Sequence, residues 1–368
     1  MNFLVAGSIA VLVLLAATLI AAVRRRRASN APSPGANGGT ATTAATAPSQ
    51  PSPGQAPAAD GATVAIALHR LALSAPQLAP GIPPGHERIA TQVAHDLASS
   101  ATQAHLMPRR PLLLPQLLRA VNDSETSRRE LAGIIARDPA LAGDLLRLAN
   151  SPFYRLTAKP VESIDRAVAV LGTEGLRRLV AAAILQPVFR VRTGHFSRFP
   201  DTTWDHAFRA GIAAETFAAL VDDSDPFAAQ LLALLLGLGA IIVFRAAMER
   251  YIEQGGLAPS PELIALLIDT QAPRAAHAVA ASWELSEGAL TAITEQREDA
   301  ATEALSPLGR SVRLGRLTGA LAVVRTGGGI TDEAALATLH GAGAPARQSE
   351  RIWLRLVPES AATLQKPV

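Results

Sequence analysis

The feature that most restricts the fold of this 368-residue chain is an apolar run in its second half. From Leu231 to Phe244 there are fourteen residues without a charge, and Arg245 follows directly. Fourteen residues of helix span about 21 Å, which is shorter than the ~30 Å hydrocarbon core of a membrane. Because a helix that is apolar on every side must be buried, we predict a core helix here, with a second membrane span as the alternative.

The composition favours helices and excludes several kinds of site. Hydrophobic residues make up 49% of the sequence but aromatic residues only 4%, so alanine and leucine provide most of the core. These two residue types favour helices over strands. The absence of cysteine excludes disulfides and thiolate metal sites. The formal net charge of +3 is too small to indicate a nucleic-acid partner by itself. We therefore predict an all-α protein.

The N-terminal residues have the pattern of a membrane anchor. Residues 3–23 carry no charge, and twenty-one helical residues span about 31 Å. A secretory signal would place its positive charge before a shorter apolar run, whereas here four arginines, residues 24–27, follow the run. The positive-inside rule then places these arginines in the cytoplasm and the N-terminus outside. We predict a single-pass inner-membrane anchor over residues 1–27, with the rest of the chain cytoplasmic; a cleaved signal is the alternative.

The next segment, residues 28–61, has the composition of a flexible tether. It is rich in Ala, Pro, Gly, Ser and Thr and has no large apolar side chain, so it cannot offset the entropy cost of ordering. Apolar residues return in residues 62–106, which we predict to be a helical connector. This connector contains the pair His95 and Asp96, which we interpret as polar positions on a surface helix, because no further ligand follows one turn later.

Helix-capping signals become regular after residue 107. Pro139 suits the first position of a helix, and the sequence after Ala149 predicts its end. Ser163 is a good N-cap for the next helix, and Gly172 fits a left-handed turn after it. Thr331 predicts a further helix start near the C-terminus, after a glycine turn at residues 327–329. We predict C-terminal helices and a tail over residues 301–368, with the part after Gly341 loosely attached.

Two stretches carry a resemblance to a known family. The sequences ARDPALAGDLLRLANSPFY (residues 136–154) and SIDRAVAVLGTEGLRRLV (residues 163–180) resemble the opening of an HDOD domain, the HD-related output domain of bacterial signalling proteins. The hallmarks are a DPAL helix, an LANS-x-FY turn and an I-x-x-A-[IV]-x-x-L-G helix pair. The resemblance implies an HD-like helical bundle over residues 107–300. It also implies kinship with HD phosphohydrolases, without hydrolase activity in most members.

The same resemblance identifies the positions at which an HD phosphohydrolase holds its metal ions. These enzymes use a first histidine, a His-Asp doublet and a distant aspartate to activate water on a phosphate. His206 matches the first histidine, but Leu236 and Gly237 stand where the doublet would be. Ala272 and Arg274 replace two further polar positions. We therefore expect no catalytic residue, metal or cofactor, and we expect His206 to be a buried polar residue with a hydrogen-bond partner.

A nucleic-acid-binding function has little support. Arg177 and Arg178 lie early in a helix that follows a Gly-Thr turn, as in a helix-turn-helix, but that helix continues as an apolar core helix. We expect no nucleic-acid partner. Arginines of this kind could bind a cyclic dinucleotide, since their forks suit phosphates, but no motif marks such a site.

These observations predict a membrane-tethered signalling or adaptor protein that acts through protein–protein interaction and catalyses no reaction. The partner is expected to be another signalling protein. The candidate contact residues are Arg147, Asn150, Phe153, Arg177 and the degenerate pocket near His206, although for Asn150 and Phe153 turn formation and core packing are the favoured roles. The alternative is a metal-dependent phosphohydrolase with rearranged ligands, drawn from His206, His277 and Asp205.

Overall fold

In the computed structural model, most helices begin where a polar side chain satisfies free amide groups of the first turn. The structure describes residues 59–99, 106, 132–133, 135, 139–150, 159–189, 191, 194–297 and 302–360. Among these residues, N-cap side chains accept backbone hydrogen bonds at Asp60, Ser163, Asp225, Ser260, Ser286, Ser306 and Thr331. The caps predicted at Ser163 and Thr331 are thereby confirmed.

The described residues form helices and no strand, so the predicted all-α fold is confirmed. All of them belong to one compact unit, residues 54–368. Short 3₁₀ or π turns extend or join several helices. The α-helices are α1 (Gly61–Ala72), α2 (Glu87–Ala98), α3 (Pro139–Ala149), α4 (Ile164–Leu185), α5 (Phe199–Phe217), α6 (Pro226–Gln254), α7 (Pro261–Ser282), α8 (Glu287–Thr294), α9 (Pro307–Thr326), α10 (Asp332–Gly341) and α11 (Ala346–Leu356).

Helix α6 contains the apolar run and lies at the centre of the fold. It packs extensively against α5 and α7, and every residue from Ala229 to Phe244 is buried. Among the described residues it is the helix that is long and apolar enough to cross a membrane, with a mean hydropathy of 2.5, yet 89% of its most apolar window is buried by the protein itself. The prediction of a core helix is therefore confirmed. The helix is longer than the run, because Asp225 caps its start and it ends at Gly255, whose φ is 61°.

Helix α9 is part of the core and packs on α5 more extensively than the sequence suggested. Gly315 and Gly319 make the close approach: a Cβ at either glycine would lie 2.6 Å from backbone atoms of Ala214 or Ala210. The tail beyond α9 is also packed, since Ile352 is 1% exposed and Trp353 is fully buried. The expectation of a loosely attached tail after Gly341 is therefore wrong for the residues described there, because α11 turns two large apolar side chains into the core.

The region of the family hallmarks forms α3 and α4. Helix α3 begins at Pro139 and ends at Ala149, as predicted. Gly172 has a φ of 69° and separates two helical segments within α4, so the expected positive-φ turn between two helices is confirmed. Residues 1–58, which include the predicted anchor and almost all of the tether, lie outside the described residues. The tether was predicted to extend to residue 61, but Gly61 is already helical.

The pair His95 and Asp96 corrects another expectation. His95 is exposed, but Asp96 is buried and forms a two-point ion pair with Arg250 of α6, with nitrogen–oxygen distances of 2.5 and 2.6 Å. Asp96 is therefore not an ordinary surface position. It attaches α2 to the central helix, and no local pattern indicates a contact between residues 154 positions apart.

Candidate functional site: a cavity at the degenerate metal-ligand positions

A cavity of about 260 Å³ lies between α1, α5, α6, α7 and α9. His206 of α5 and Leu236 and Gly237 of α6 all line it, so the structure brings together the three positions that the sequence identified. Ala272 of α7 lines it as well. The cavity therefore contains the positions that the resemblance assigned to the metal ligands of an HD phosphohydrolase.

His206 is held by the backbone of α9. Its Nε2 lies 3.1 Å from the carbonyl oxygen of Arg316, and because a carbonyl only accepts, Nε2 carries the proton and donates it. Burial, followed by the positive charge of Arg316, lowers the pKa of His206 to about 4, against the opposing effect of the hydrogen bond. Part of the ring remains accessible to the cavity, but the surrounding protein is dense enough to desolvate it. The expected hydrogen-bond partner of His206 is thus present, and the ring is neutral near pH 7.

The doublet positions offer no donor atom and no space for one. Leu236 is apolar, and at Gly237 a Cβ would lie 2.4 Å from the Cβ of Ala207 and 3.3 Å from the ring of Phe189. Real Cβ atoms do not approach other atoms so closely, so α5 and α6 have packed together around the missing side chain. Aspartate cannot occupy position 237 in this backbone arrangement.

A charged group of residues on the cavity wall was missed by the sequence analysis. His69 of α1 is buried, and its Nε2 lies 2.7 Å from Oδ1 of Asp269 on α7. Arg313 and Arg316 of α9 also line the cavity, and Arg313 donates a hydrogen bond to the carbonyl oxygen of Glu295. The spacing of the two arginines, three residues apart on one helix, was the one available sign that they share a face.

Gln296 is the remaining polar residue whose environment is unusual. Its Nε2 donates to the carbonyl oxygens of Ala292 and Gly309, at 2.9 and 3.0 Å. Its Oε1 is buried and accepts no hydrogen bond from the part of the chain that the structure describes. Because a buried acceptor without a donor is costly, this oxygen is an available contact on the cavity wall.

Other candidate residues do not converge on the cavity. His277 does not line it, and Asp205 is engaged by Arg209 at 2.8 Å. Arg147 forms an ion pair with Asp144 on the surface of α3. The side chain of Arg177 and all of Phe153 lie outside what the structure describes.

Asn150 has a structural role. Its side-chain amide donates to the carbonyl oxygens of Leu146 and Val161, and its Oδ1 accepts from the amide of Val161, each at 2.8 Å. These three bonds fix the end of α3 to the segment that leads into α4. The interpretation of Asn150 as a turn-forming residue is confirmed.

The donor set does not fit a catalytic metal centre. Within the described residues, no three His, Asp or Glu side chains are placed to hold one metal ion. Asp269 and His69 bind each other, and His206 uses Nε2 on a carbonyl oxygen. A catalytic zinc or similar ion needs about three protein ligands, so these side chains support no reaction step through a metal.

Comparison with known proteins identifies relatives of this chain. A protein from Treponema pallidum (strain Nichols), of uncharacterised function, is 26% identical over 220 residues. The match covers 57% of this chain and 41% of the relative, so the chain spans less than half of that relative's length.

Two crystal structures share the fold. One is from Shewanella amazonensis and is named as a proposed metal-dependent phosphohydrolase, with a TM-score of 0.52, 17% identity, and coverage of 76% of this chain and 99% of the other. The second is an HDOD domain protein of unknown function from Geobacter sulfurreducens, with a TM-score of 0.52, 19% identity, and coverage of 76% and 95%. At these identities the likeness shows the fold alone. The model of the HDOD domain matches residues 107–298, more than half of the sequence, and the chain belongs to the HDOD family.

Proposed function

We propose that this protein is a non-catalytic signalling adaptor, anchored in the inner membrane through residues 3–23 and acting through protein–protein contacts of its HDOD domain. The observation that carries the proposal is the packing at Gly237. Where a phosphohydrolase would place the aspartate of its metal doublet, a Cβ would already lie 2.4 Å from Ala207. Packing this tight leaves no space for a ligand side chain at position 237, which supports a role without a metal.

The state of the first histidine supports the same proposal. A ligand histidine presents an unprotonated nitrogen to its metal, usually with the second nitrogen oriented by a neighbouring acceptor. The bond from Nε2 of His206 to the carbonyl oxygen of Arg316 is compatible with such an arrangement, but the positive charge of the same arginine disfavours a second positive charge at the ring. A divalent cation would meet the same repulsion.

The alternative, a phosphohydrolase with rearranged ligands, rests on the fold shared with the proposed metal-dependent phosphohydrolase from Shewanella amazonensis. It requires His206, His277 and Asp205 to act together. Of these residues only His206 lines the cavity, and Asp205 is bound to Arg209. The rearranged set has no common site among the described residues.

Metal content and hydrolysis separate the two functions. We would purify the full chain in a maltoside detergent, measure bound metals by mass spectrometry, and assay hydrolysis of bis(4-nitrophenyl) phosphate with added manganese. The adaptor proposal expects no stoichiometric metal and no hydrolysis above a His206→Ala variant. Stoichiometric manganese, iron or zinc together with hydrolysis that His206→Ala abolishes would replace it with the phosphohydrolase.

The membrane part of the proposal has its own test. Membranes from cells that express the full chain would be washed with alkaline carbonate, which removes peripheral proteins. We expect the full chain to stay in the pellet and a variant lacking residues 1–27 to be released. If both behave alike, residues 3–23 are not an anchor.

A further inference from the structure

The four arginines of α9 differ in how they are paired. Arg316 lines the cavity, and among the described residues its guanidinium makes no hydrogen bond and no ion pair. The other three are engaged: Arg310 with Asp222 at 2.5 Å, Arg325 with Asp332 at 2.8 Å, and Arg313 with the carbonyl oxygen of Glu295. Arg316 is therefore the arginine of this helix that is available to a ligand.

The surroundings of Arg316 make it a costly group to leave alone. Burial lowers the pKa of its guanidinium, the negative charge of Asp269 raises it, and the positive charge of Arg313, one turn away on α9, lowers it. An ionised side chain removed from water needs a counter-charge or hydrogen-bond acceptors. The nearest acid, Asp269, is half exposed and already bonded to His69. The cavity wall thus carries two arginines and one carboxylate, an excess of positive charge.

A second polar contact lies on the same wall. The buried Oε1 of Gln296 accepts no hydrogen bond from the described residues, and its amide is oriented by the two bonds that Nε2 donates. This oxygen can accept a hydrogen bond from a ligand hydroxyl or amine. Much of the remaining lining is apolar and includes Phe199, Leu236 and Ile268.

The size of the cavity limits what it can hold. Its volume of about 260 Å³ is just below the range of roughly 300–1,000 Å³ that is usual for small-molecule sites. An arginine fork matches the oxygens of a phosphate, and a short apolar body would contact the wall between the two polar positions. The geometry therefore points to a small molecule with an anionic head, an apolar body and a donor group.

We propose that the degenerate HD cavity binds a small phosphate ester, with its phosphate on Arg316, its body against Phe199 and Leu236, and a hydroxyl or amine donated to Gln296. Binding requires no metal and no bond is broken. The proposal goes beyond the adaptor function, because it gives the domain a chemical input. Its main contact, Arg316, lies outside the segment matched by the family model, residues 107–298, as does the α1 wall that carries His69.

The test uses a set of matched probes on the full chain in maltoside, which unlike phosphocholine detergents carries no phosphate. The probes are 4-aminophenyl phosphate, phenyl phosphate and 4-aminophenol, each titrated calorimetrically with EDTA present. We expect 4-aminophenyl phosphate to bind most tightly, phenyl phosphate to bind more weakly because it lacks the donor for Gln296, and 4-aminophenol not to bind.

Two variants locate the site. Arg316→Met keeps an unbranched aliphatic stem and removes the charged guanidinium, and we expect it to weaken binding of 4-aminophenyl phosphate at least about tenfold, as for loss of a charged hydrogen bond. Arg351→Met is the matched control, because Arg351 is exposed on α11 and far from the cavity lining. Gln296→Leu should remove the preference for the amino probe while leaving the phosphate requirement.

The outcomes are separable from those of the adaptor proposal. If neither phosphate binds at millimolar concentration, or if a folded Arg316→Met binds as well as the parent chain, the ligand proposal is wrong and the adaptor proposal is untouched. Should Arg316→Met fail to fold, Ala65→Leu, which fills the cavity from α1, provides the same test, and undiminished binding by it would overturn the proposal. Binding that appears only with added manganese would overturn both.

Discussion

Two parts of the cavity wall differ in polarity. One part, on α5 and α6, holds the positions that the resemblance assigned to metal ligands, and the other belongs to α1 and α9, which flank residues 107–298. On α5 and α6, Leu236 and Gly237 offer no donor atom, and His206 is neutral and bound to a carbonyl oxygen. On the flanking helices α1 and α9, the wall carries His69, Arg313 and Arg316. Most of the basic side chains of the cavity thus lie on helices outside residues 107–298, where the resemblance to the family gave no site residue.

The largest effect is expected from an attempt to reverse this difference at Gly237. Gly237→Asp places a Cβ 2.4 Å from Ala207 and an unpaired carboxylate in the core, and we expect a loss of at least about 5 kcal/mol or failure to fold. The measurement is urea unfolding of the full chain followed by circular dichroism. We also expect the double variant with Leu236→His and Gly237→Asp to bind no manganese.

The control is a helical glycine with open space around it. Gly143 is exposed on α3 and nothing lies within 4 Å of the position of its Cβ, so Gly143→Ala should be neutral or stabilise the protein by up to about 1 kcal/mol. A stable Gly237→Asp protein that binds manganese would show that the two helices can separate, and it would remove the main support for the adaptor function.

The packing of the flanking helices can be disrupted by a substitution at Asp332, the first residue of α10. Oδ1 of this buried residue accepts from Nε1 of Trp353 at 3.1 Å and from the hydroxyl of Ser360 at 2.7 Å, and it pairs with Arg325. Burial acts to raise the pKa of Asp332, but the hydrogen bonds from Arg325, Ser360 and Trp353 outweigh it and lower the pKa below the usual value. Asp332→Ala leaves two fully buried donors unsatisfied.

We expect Asp332→Ala to cost about 4 kcal/mol, from about 1–3 kcal/mol for each unsatisfied buried group. The neighbouring Glu333 is exposed, and Glu333→Ala should change the stability by less than about 0.5 kcal/mol. Urea unfolding of both variants checks this. Equal effects of the two substitutions would mean that α10 and α11 are only loosely attached to the core, as the sequence predicted for the tail after Gly341.

The sequence predicted elements with local signals well and contacts between distant segments poorly. The core helix α6 followed from fourteen uncharged residues, and the caps Ser163 and Thr331 followed from residue type. The resemblance placed His206 and the doublet positions on one cavity. By contrast, nothing in the pattern around His69 indicates Asp269, which lies 200 residues away.

Arginine was the residue type that the sequence could interpret least. On a helix of small and apolar residues, Arg313 and Arg316 resemble solvated surface positions, because long side chains usually carry their charge to water. Gly315 and Gly319 allow α9 to lie so close to α5 that the same positions face an interior cavity. Which face of α9 lies against α5 depends on these tertiary contacts, which no local pattern indicates.

An acid-dependent loss of stability should report the neutral state of His206. In the unfolded chain a histidine takes up its proton below about pH 6.5, whereas the folded ring stays neutral until about pH 4. The unfolded state therefore binds more protons between these values, and the stability present above pH 6.5 is lost as the pH falls towards 4. The linked loss is about 3 kcal/mol.

His206→Gln removes this titration and keeps a donor for the carbonyl oxygen of Arg316. We expect the variant to match the parent near pH 7.5 and to lose about 3 kcal/mol less than the parent between pH 6.5 and 4, measured by urea unfolding at several pH values. His340→Gln, at an exposed histidine of α10, is the control and should follow the parent curve. Parallel curves for His206→Gln and the parent would show that the ring is solvated or already charged. The His206 side of the cavity would then be open to water, contrary to the burial of the ring in the structure.

The smallest expected effect compares two helix caps, one in each region. Ser163 accepts from the amide of Arg166 at 3.2 Å, and Thr331 accepts from the amide of Ala334 at 3.3 Å, so the two hydrogen bonds are closely matched. Each alanine substitution should cost about 1 kcal/mol.

If the family segment and the flanking helices unfold as one cooperative unit, both substitutions lower the same single transition, whether it is followed by circular dichroism or by tryptophan fluorescence. If the flanks unfold first, two transitions appear, and Thr331→Ala shifts only the earlier one whereas Ser163→Ala shifts only the later one. Since α9 supplies both the Arg316 wall and the anchor of His206, we expect one transition, in which the cavity and its flanking helices form and disappear together.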